Sequence, residues 1–139
     1  MSFNQAQQQV LADVRPALSA FKRTFGRDLS ADFLAALYVA QKLDLTLSDS
    51  CSERGCDAID ERTQNRYQIK QRTSSTQNID INNFEFDFLV LVNLSDAYEP
   101  TGMWLLPVQR LHEMCANPSK YMTHQISQER FKREAERIL

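Results

Sequence analysis

Residues 55–72 read GCDAIDERTQNRYQIKQR, and this stretch predicts two short strands joined by a hairpin. In its second half, Tyr67 and Ile69 alternate with polar neighbours, which is the pattern of a half-buried strand. Residues 61–65 are polar throughout, as is typical of a surface turn. The stretch therefore predicts an antiparallel pair whose second strand has one apolar face and one polar face.

The polar face of that strand carries Gln68 and Lys70, and pairing with the first strand should bring Asp57 alongside them. A carboxylate, an amide oxygen and an ammonium then converge at one open edge of a sheet. Asp57 and Lys70 on neighbouring strands also suit a simple cross-strand ion pair, which contributes less than about 1 kcal/mol and implies no chemistry. Spacing alone leaves both interpretations open.

The same residues resemble the PD-(D/E)XK nuclease superfamily, in the variant where Gln replaces the second acid: Asp57 is followed by Gln68-Ile69-Lys70 as the Q-x-K signature. The likeness is to small bacterial restriction-endonuclease-like proteins with a G-x-D-A-I-D…Y-Q-I-K hairpin, and it extends over residues 26–114. The resemblance implies an α/β fold of mixed α+β type. Its restriction-endonuclease-like core would be a mixed sheet of about four to five strands flanked by helices.

The resemblance also implies hydrolysis of phosphodiester bonds in DNA with a divalent cation, Mg²⁺ or Mn²⁺. Asp57 and Gln68 would hold the ion through oxygen atoms, which hard cations prefer. Lys70 would orient the attacking water, or help to deprotonate it, and would offset charge that develops at phosphorus. Arg66 and Arg72 flank these residues and would contact the nucleic acid.

Asp32 is a possible additional site residue, because many nucleases of this superfamily carry an acid on the helix before the hairpin. That acid tends to be Glu, and the Asp side chain is shorter. The alternative is that Asp32 is a first-turn residue favoured by the helix dipole. Both interpretations of Asp32 stay open.

Length and composition predict one globular domain over residues 1–139, since 42% of the residues are apolar and 24% are charged. No run approaches the roughly 18 apolar residues that a membrane span needs. Residues 1–5 lack the basic and apolar segments of a secretory signal, so we expect a cytoplasmic protein without membrane association. The three cysteines fit reduced thiols, and no convincing zinc-ligand spacing links them to the histidines.

The net charge of −2 does not by itself indicate nucleic-acid binding. Basic residues are nevertheless concentrated around the candidate site and in the last helix, although interleaved glutamates favour a solvated face for that helix. We expect DNA as the partner. We also expect a homodimer, or a partner protein of a restriction or mobile-element defence system, because one small nuclease usually needs a second copy to cut both strands. The alternative is a catalytically inactive nuclease-fold module that acts in nucleic-acid binding or protein interaction.

Hydrophobic periodicity predicts the remaining elements. It indicates helices over 4–25, either kinked or divided into two shorter helices at Pro16, over 31–43, from Pro107 to Met114, and from Ser127 to Ile138. It also indicates strands over 45–47, 84–94, 103–106 and 120–126, and a hydrophilic loop over 73–83. Residues 89–94 are almost entirely apolar, so we expect them at the centre of the sheet. Trp104 fits the edge of a core better than it fits base stacking.

Overall fold

The computed structural model describes residues 2–48, 56–74, 76–115 and 124–139. Two parts of the sequence predictions lie outside the described residues: Gly55 at the start of the hairpin stretch, and positions 120–123 of the strand predicted over 120–126. The chain falls into two compact units, Met1–Ser30 and Ala31–Leu139. A single domain over the whole chain stays a prediction.

The first unit is one long helix, α1 (Gln5–Phe25), which runs without interruption through Pro16. Asn4 begins it with a capping box, in which Asn4 Oδ1 accepts from Gln7 N at 2.8 Å and Gln7 Oε1 accepts from Asn4 N at 3.0 Å. Gly26 ends it in the left-handed region, with φ of 71°, where glycine carries no steric penalty. The predicted helix is confirmed, and Pro16 does not divide it into two shorter helices.

The described residues of the second unit form three helices and eight strands. The helices are α2 (Ala31–Leu43), α3 (Val108–Met114) and α4 (Gln128–Glu134); the strands are β1 (Thr46–Leu47), β2 (Ala58–Asp60), β3 (Asn65–Arg72), β4 (Ile79–Ile81), β5 (Phe88–Leu94), β6 (Pro100–Pro107), β7 (His124–Ile126) and β8 (Glu136–Arg137). Six strands form one sheet in the order β1-β2-β3-β5-β6-β8, and β4 pairs with β7. None of the helices in the described ranges is long and apolar enough to cross a membrane.

Strand β5 is the centre of the sheet, as its apolar run predicts. Leu89, Val90, Leu91 and Val92 are fully buried, which requires cover on both faces. Strand β5 is parallel to β3 and antiparallel to β6, so the sheet is mixed. The mixed α/β class is therefore confirmed, and the sheet exceeds the expected four to five strands because the two-residue strands β1 and β8 extend its edges.

The two faces of the sheet are covered by different helices. Helix α2 buries Phe33, Ala35, Ala36 and Val39 and packs against β3 and β5. We call that side the α2 face. The opposite side, the α4 face, contributes to a core that also includes β4, β7, α3 and α4; its buried members are Ile79, Ile81, Phe86, Leu89, Leu91, Leu106, Leu111, Ile126 and Phe131.

Three sequence predictions about the elements are wrong. The loop predicted over 73–83 contains β4, whose two isoleucines are buried although their neighbours are polar. The strand predicted from residue 84 begins only at Phe88. Before it, Phe86 packs into the core, and the backbone N of Asp87 donates to Arg66 O of β3. The helix predicted through Ile138 ends at Glu134, since Ala135 is extended and the chain then pairs with β6.

Candidate active site

The hairpin predicted from residues 55–72 is present, with Ala58 opposite Tyr67 and Asp60 opposite Asn65. Its turn is closed by Gln64 N, which donates to Asp60 O at 2.7 Å while Gln64 itself has a positive φ of 62°. Tyr67 is buried on the α2 face and stacks on Phe88, with 5.1 Å between ring centroids. Burial raises the pKa of Tyr67, and the charge of Asp60 adds to that effect.

Asp60 stabilises the hairpin turn. Its Oδ1 accepts from Arg62 N at 2.9 Å and from Arg62 Nε at 3.0 Å, and Arg62 also reaches Leu43 O. The Arg62 guanidinium lowers the pKa of the Asp60 carboxyl below its usual range.

Asp57 lies just before β2 and is half-buried. Its backbone N donates to Tyr67 O at 2.8 Å, and its Oδ2 accepts from Ile69 N at 2.7 Å. The carboxylate therefore satisfies a backbone amide of β3. This hydrogen bond holds the carboxylate against the backbone between Gln68 and Lys70.

Gln68 and Lys70 lie opposite Leu89 and Leu91 of β5, and they alternate with buried Ile69. Because paired residues share a face, Gln68 and Lys70 belong to the α4 face. Both are half-buried, and within the described part of the chain neither side chain has a hydrogen bond or an ion pair. The predicted common face of Gln68 and Lys70 agrees with this register.

Asp32 lies on helix α2, on the opposite side of the sheet from Gln68 and Lys70. It is exposed in the first turn of α2, and its Oδ1 accepts from Gln71 Nε2 at 3.2 Å. Gln71 points to the face opposite Lys70, because successive side chains of a strand alternate. The structure thus joins Asp32 to Gln71 on the α2 face, and a metal role for Asp32 stays a prediction.

The two predicted DNA-contacting arginines have local hydrogen bonds. Arg72 donates from Nε to Asn78 O at 3.0 Å and from Nη1 to Gln71 O at 2.6 Å, which holds the loop after β3. The backbone N of Arg66 donates to Asp87 Oδ2 at 2.7 Å and ties the start of β3 to the segment before β5. Contact with nucleic acid remains a prediction for both arginines.

The candidate metal ligands at the hairpin are oxygen atoms. Asp57 and Gln68 supply a carboxylate and an amide, which fit a hard cation that keeps several waters, such as Mg²⁺. Among the residues with described positions, no group of three or more His, Cys, Asp or Glu side chains is arranged to hold a metal ion. Cys56 is buried beside Ser48, and burial raises the pKa of Cys115.

Lys132 departs from the solvated face predicted for the last helix. It is half-buried, and its Nζ donates to Asn93 Oδ1 at 2.6 Å and lies 4.3 Å from the centroid of the Trp104 ring. The sequence offered only a general signal for this residue, namely the concentration of basic residues near the C-terminal helix.

Comparison of the chain with protein-family models and with curated proteins returns no match. The candidate site therefore stands on its own residues and geometry.

Proposed function

We propose that this protein is a metal-dependent nuclease of the PD-(D/E)XK superfamily, in its Q-x-K variant, that hydrolyses phosphodiester bonds in DNA. The observation that carries the proposal is the hydrogen bond from Ile69 N to Asp57 Oδ2. It holds a carboxylate beside the Gln68-Ile69-Lys70 segment, where the polar groups of Gln68 and Lys70 have no partner among the described residues.

The fold supports the same proposal at a coarser level. Helices lie against both faces of a mixed sheet, which is the arrangement that a restriction-endonuclease-like core would have. The hairpin with the candidate residues adjoins the buried central strand, so its geometry is supported by the core rather than by a loop.

Asp57 and Gln68 would hold Mg²⁺ or Mn²⁺ through their oxygen atoms, and Asp32 would join them only by reaching around the edge of the sheet. The bound ion would supply Lewis-acid stabilisation of a phosphate oxygen. The Lys70 ammonium has no acidic partner among the described residues, so it can donate to the attacking water and to a non-bridging phosphate oxygen. The protein would act as a homodimer, or with a partner of a restriction or mobile-element defence system.

A second candidate function is binding without cleavage, as a catalytically inactive nuclease-fold module in nucleic-acid binding or protein interaction. It is favoured by the small number of acidic ligands: one oxygen of Asp57 already accepts from the backbone, and the described residues hold no larger ligand group. A site with so little negative charge should bind a cation weakly without substrate phosphate.

Incubation with plasmid, linear, single-stranded and branched DNA in Mg²⁺ or Mn²⁺ separates the two functions. We expect cleavage only with metal, and a loss of about a hundredfold or more in Lys70→Ala, because a positioned charged donor is worth that much in the transition state. Lys42→Ala, at an exposed position of α2, is the matched control and should cleave like the parent. DNA that is retarded but intact would support the second function, and equal cleavage by Lys70→Ala would contradict the proposed site.

A further inference from the structure

Two cations share the single tryptophan of the chain. Lys132 Nζ lies 4.3 Å from the Trp104 ring centroid, and Arg137 Cζ lies 5.1 Å from it. We call these three residues the Trp104 cluster. Such cation–π contacts hold positive charge over the electron-rich ring.

The position of the ring is fixed by Gly102, two residues earlier on the same strand. A Cβ atom at Gly102 would clash with Trp104 Cη2 and would lie 2.8 Å from Cζ3, so the indole lies directly against the glycine backbone. The ring is also in contact with the core of the α4 face. The indole is therefore a fixed support for the two cations, and base stacking on it is not favoured.

Lys132 is positioned by a chain of amide hydrogen bonds. Its acceptor, Asn93 Oδ1, belongs to a side chain whose Nδ2 donates to Gln128 Oε1 at 3.0 Å. Gln128 is only 2% exposed and donates to two backbone carbonyls of the loop after β3, Ser74 O at 2.6 Å and Gln77 O at 2.8 Å. Each amide is thus oriented by its partners, so Asn93 presents an oxygen to the ammonium.

Lys132 has no acidic partner among the described residues, where the ion pairs are Lys22–Asp28, Arg62–Asp60, Arg110–Glu113 and Arg110–Glu134. The guanidinium of Arg137 donates from Nε to Leu139 O at 2.8 Å and from Nη2 to Thr101 O at 3.5 Å, which leaves its other N–H donors for an anion. Burial lowers the pKa of Lys132, and the neighbouring positive charge of Arg137 lowers it further. An anion placed between the two cations would relieve both effects.

The strand register connects this cluster to the candidate active site. Lys70, Leu91, Trp104 and Arg137 are successive partners across β3, β5, β6 and β8, so they form one row on the α4 face. Neighbouring strands are about 4.8 Å apart, which places the Cα atoms of Lys70 and Trp104 about 10 Å apart. That separation is within the span of a few backbone phosphates.

We propose that Lys132 and Arg137, supported by Trp104 and Asn93, form a phosphate-binding site for the nucleic-acid backbone, separate from the residues of the candidate active site. The identification of the ligand as nucleic acid rests on the proposed function; the anion site itself does not. The site binds a phosphate group by charge and hydrogen bonding, and it carries no base specificity.

Trp104 provides the measurement, because it is the only tryptophan and lies within the proposed site. Inorganic phosphate, and separately a short DNA duplex, are titrated into the full chain in EDTA while indole emission is recorded. We expect a saturable change with both ligands. In Lys132→Met we expect binding of the duplex to weaken about tenfold, and the slope of log affinity against log salt to fall by about one, because one phosphate contact is lost.

Lys42→Met is the matched control and should bind like the parent. Arg137→Met, at an exposed residue, repeats the test if Lys132→Met does not fold. Parent-like affinity and salt slope in both cluster variants would overturn the proposal, and a response to inorganic phosphate without one to DNA would overturn the assignment to nucleic acid. The titration is carried out without metal, so its result does not depend on cleavage. If the protein binds the duplex in this titration but does not cleave DNA in Mg²⁺, the proposed nuclease function is wrong and the phosphate-binding site is retained.

Discussion

Replacing the buried amide Gln128 by leucine should destabilise the second unit substantially. The side chain is 2% exposed and makes three hydrogen bonds, two donated to carbonyls of the loop after β3 and one accepted from Asn93. Leucine is similar in volume but has no polar atom. Each hydrogen bond contributes about 1 kcal/mol net, so Gln128→Leu should lower the free energy of unfolding by about 3 kcal/mol, and by more if the orphaned groups stay dry.

Urea denaturation followed by circular dichroism measures this loss, provided that the slope with urea is unchanged in the variant. Gln109→Leu, at an exposed position of α3, is the matched control and should change the free energy of unfolding by less than about 0.5 kcal/mol. A loss below about 1 kcal/mol in Gln128→Leu would show that the amide chain from Gln128 through Asn93 to Lys132 is not formed, and the positioning of Lys132 would then lack its basis.

Two further predictions concern the ring support and the hairpin turn. Gly102→Ala should displace the Trp104 ring, shift its fluorescence emission, and cost about 1–3 kcal/mol of stability, as overpacking of a filled site does; an unchanged emission spectrum would contradict the packing described. Arg62 lowers the pKa of Asp60, so their interaction stabilises the folded protein above the usual carboxyl pKa of 3.8 and is lost as the pH falls through the lower folded value. Arg62→Ala should therefore be less stable than the parent in urea at pH 7, and the difference should disappear in acid; a difference independent of pH would refute the pairing.

Local patterns predicted those parts of the chain whose structure is decided locally. The bounds of α2 follow from its apolar periodicity, and the ending of α1 follows from Gly26. The central position of β5 follows from its continuous apolar run. Each of these signals lies within the element that it predicts or directly at its end.

The missed elements depend on partners that are distant in sequence. Strand β4 has three residues and is a strand only because β7 pairs with it more than forty positions later. Strand β8 forms because β6 offers it an edge, which overrides the helical pattern that precedes it. Short edge pairings of this kind carry almost no local sequence signal.

The candidate site was likewise predictable only where a local pattern decides the structure. The period of a strand predicts that Gln68 and Lys70 share a face, and the structure agrees. The hydrogen bond of Asp57 to Ile69 N was not predictable, because it depends on where β2 begins. The burial of Lys132 was not predictable either, since it requires α4 to lie against β5 and Trp104 to fold over Gly102.

The central claim is that the hairpin presents an oxygen site for a divalent cation to the side of the sheet where Lys70 lies. Calorimetric titration of Mn²⁺ into the parent, Gln68→Glu and Gln109→Glu tests it most directly. Glu is nearly isosteric with Gln but charged, and hard cations bind more tightly as ligand charge increases. We predict clearly tighter binding by Gln68→Glu, and binding by Gln109→Glu equal to that of the parent. If Gln68→Glu binds Mn²⁺ no more tightly than the parent, Gln68 does not face a metal ion and the site is wrong.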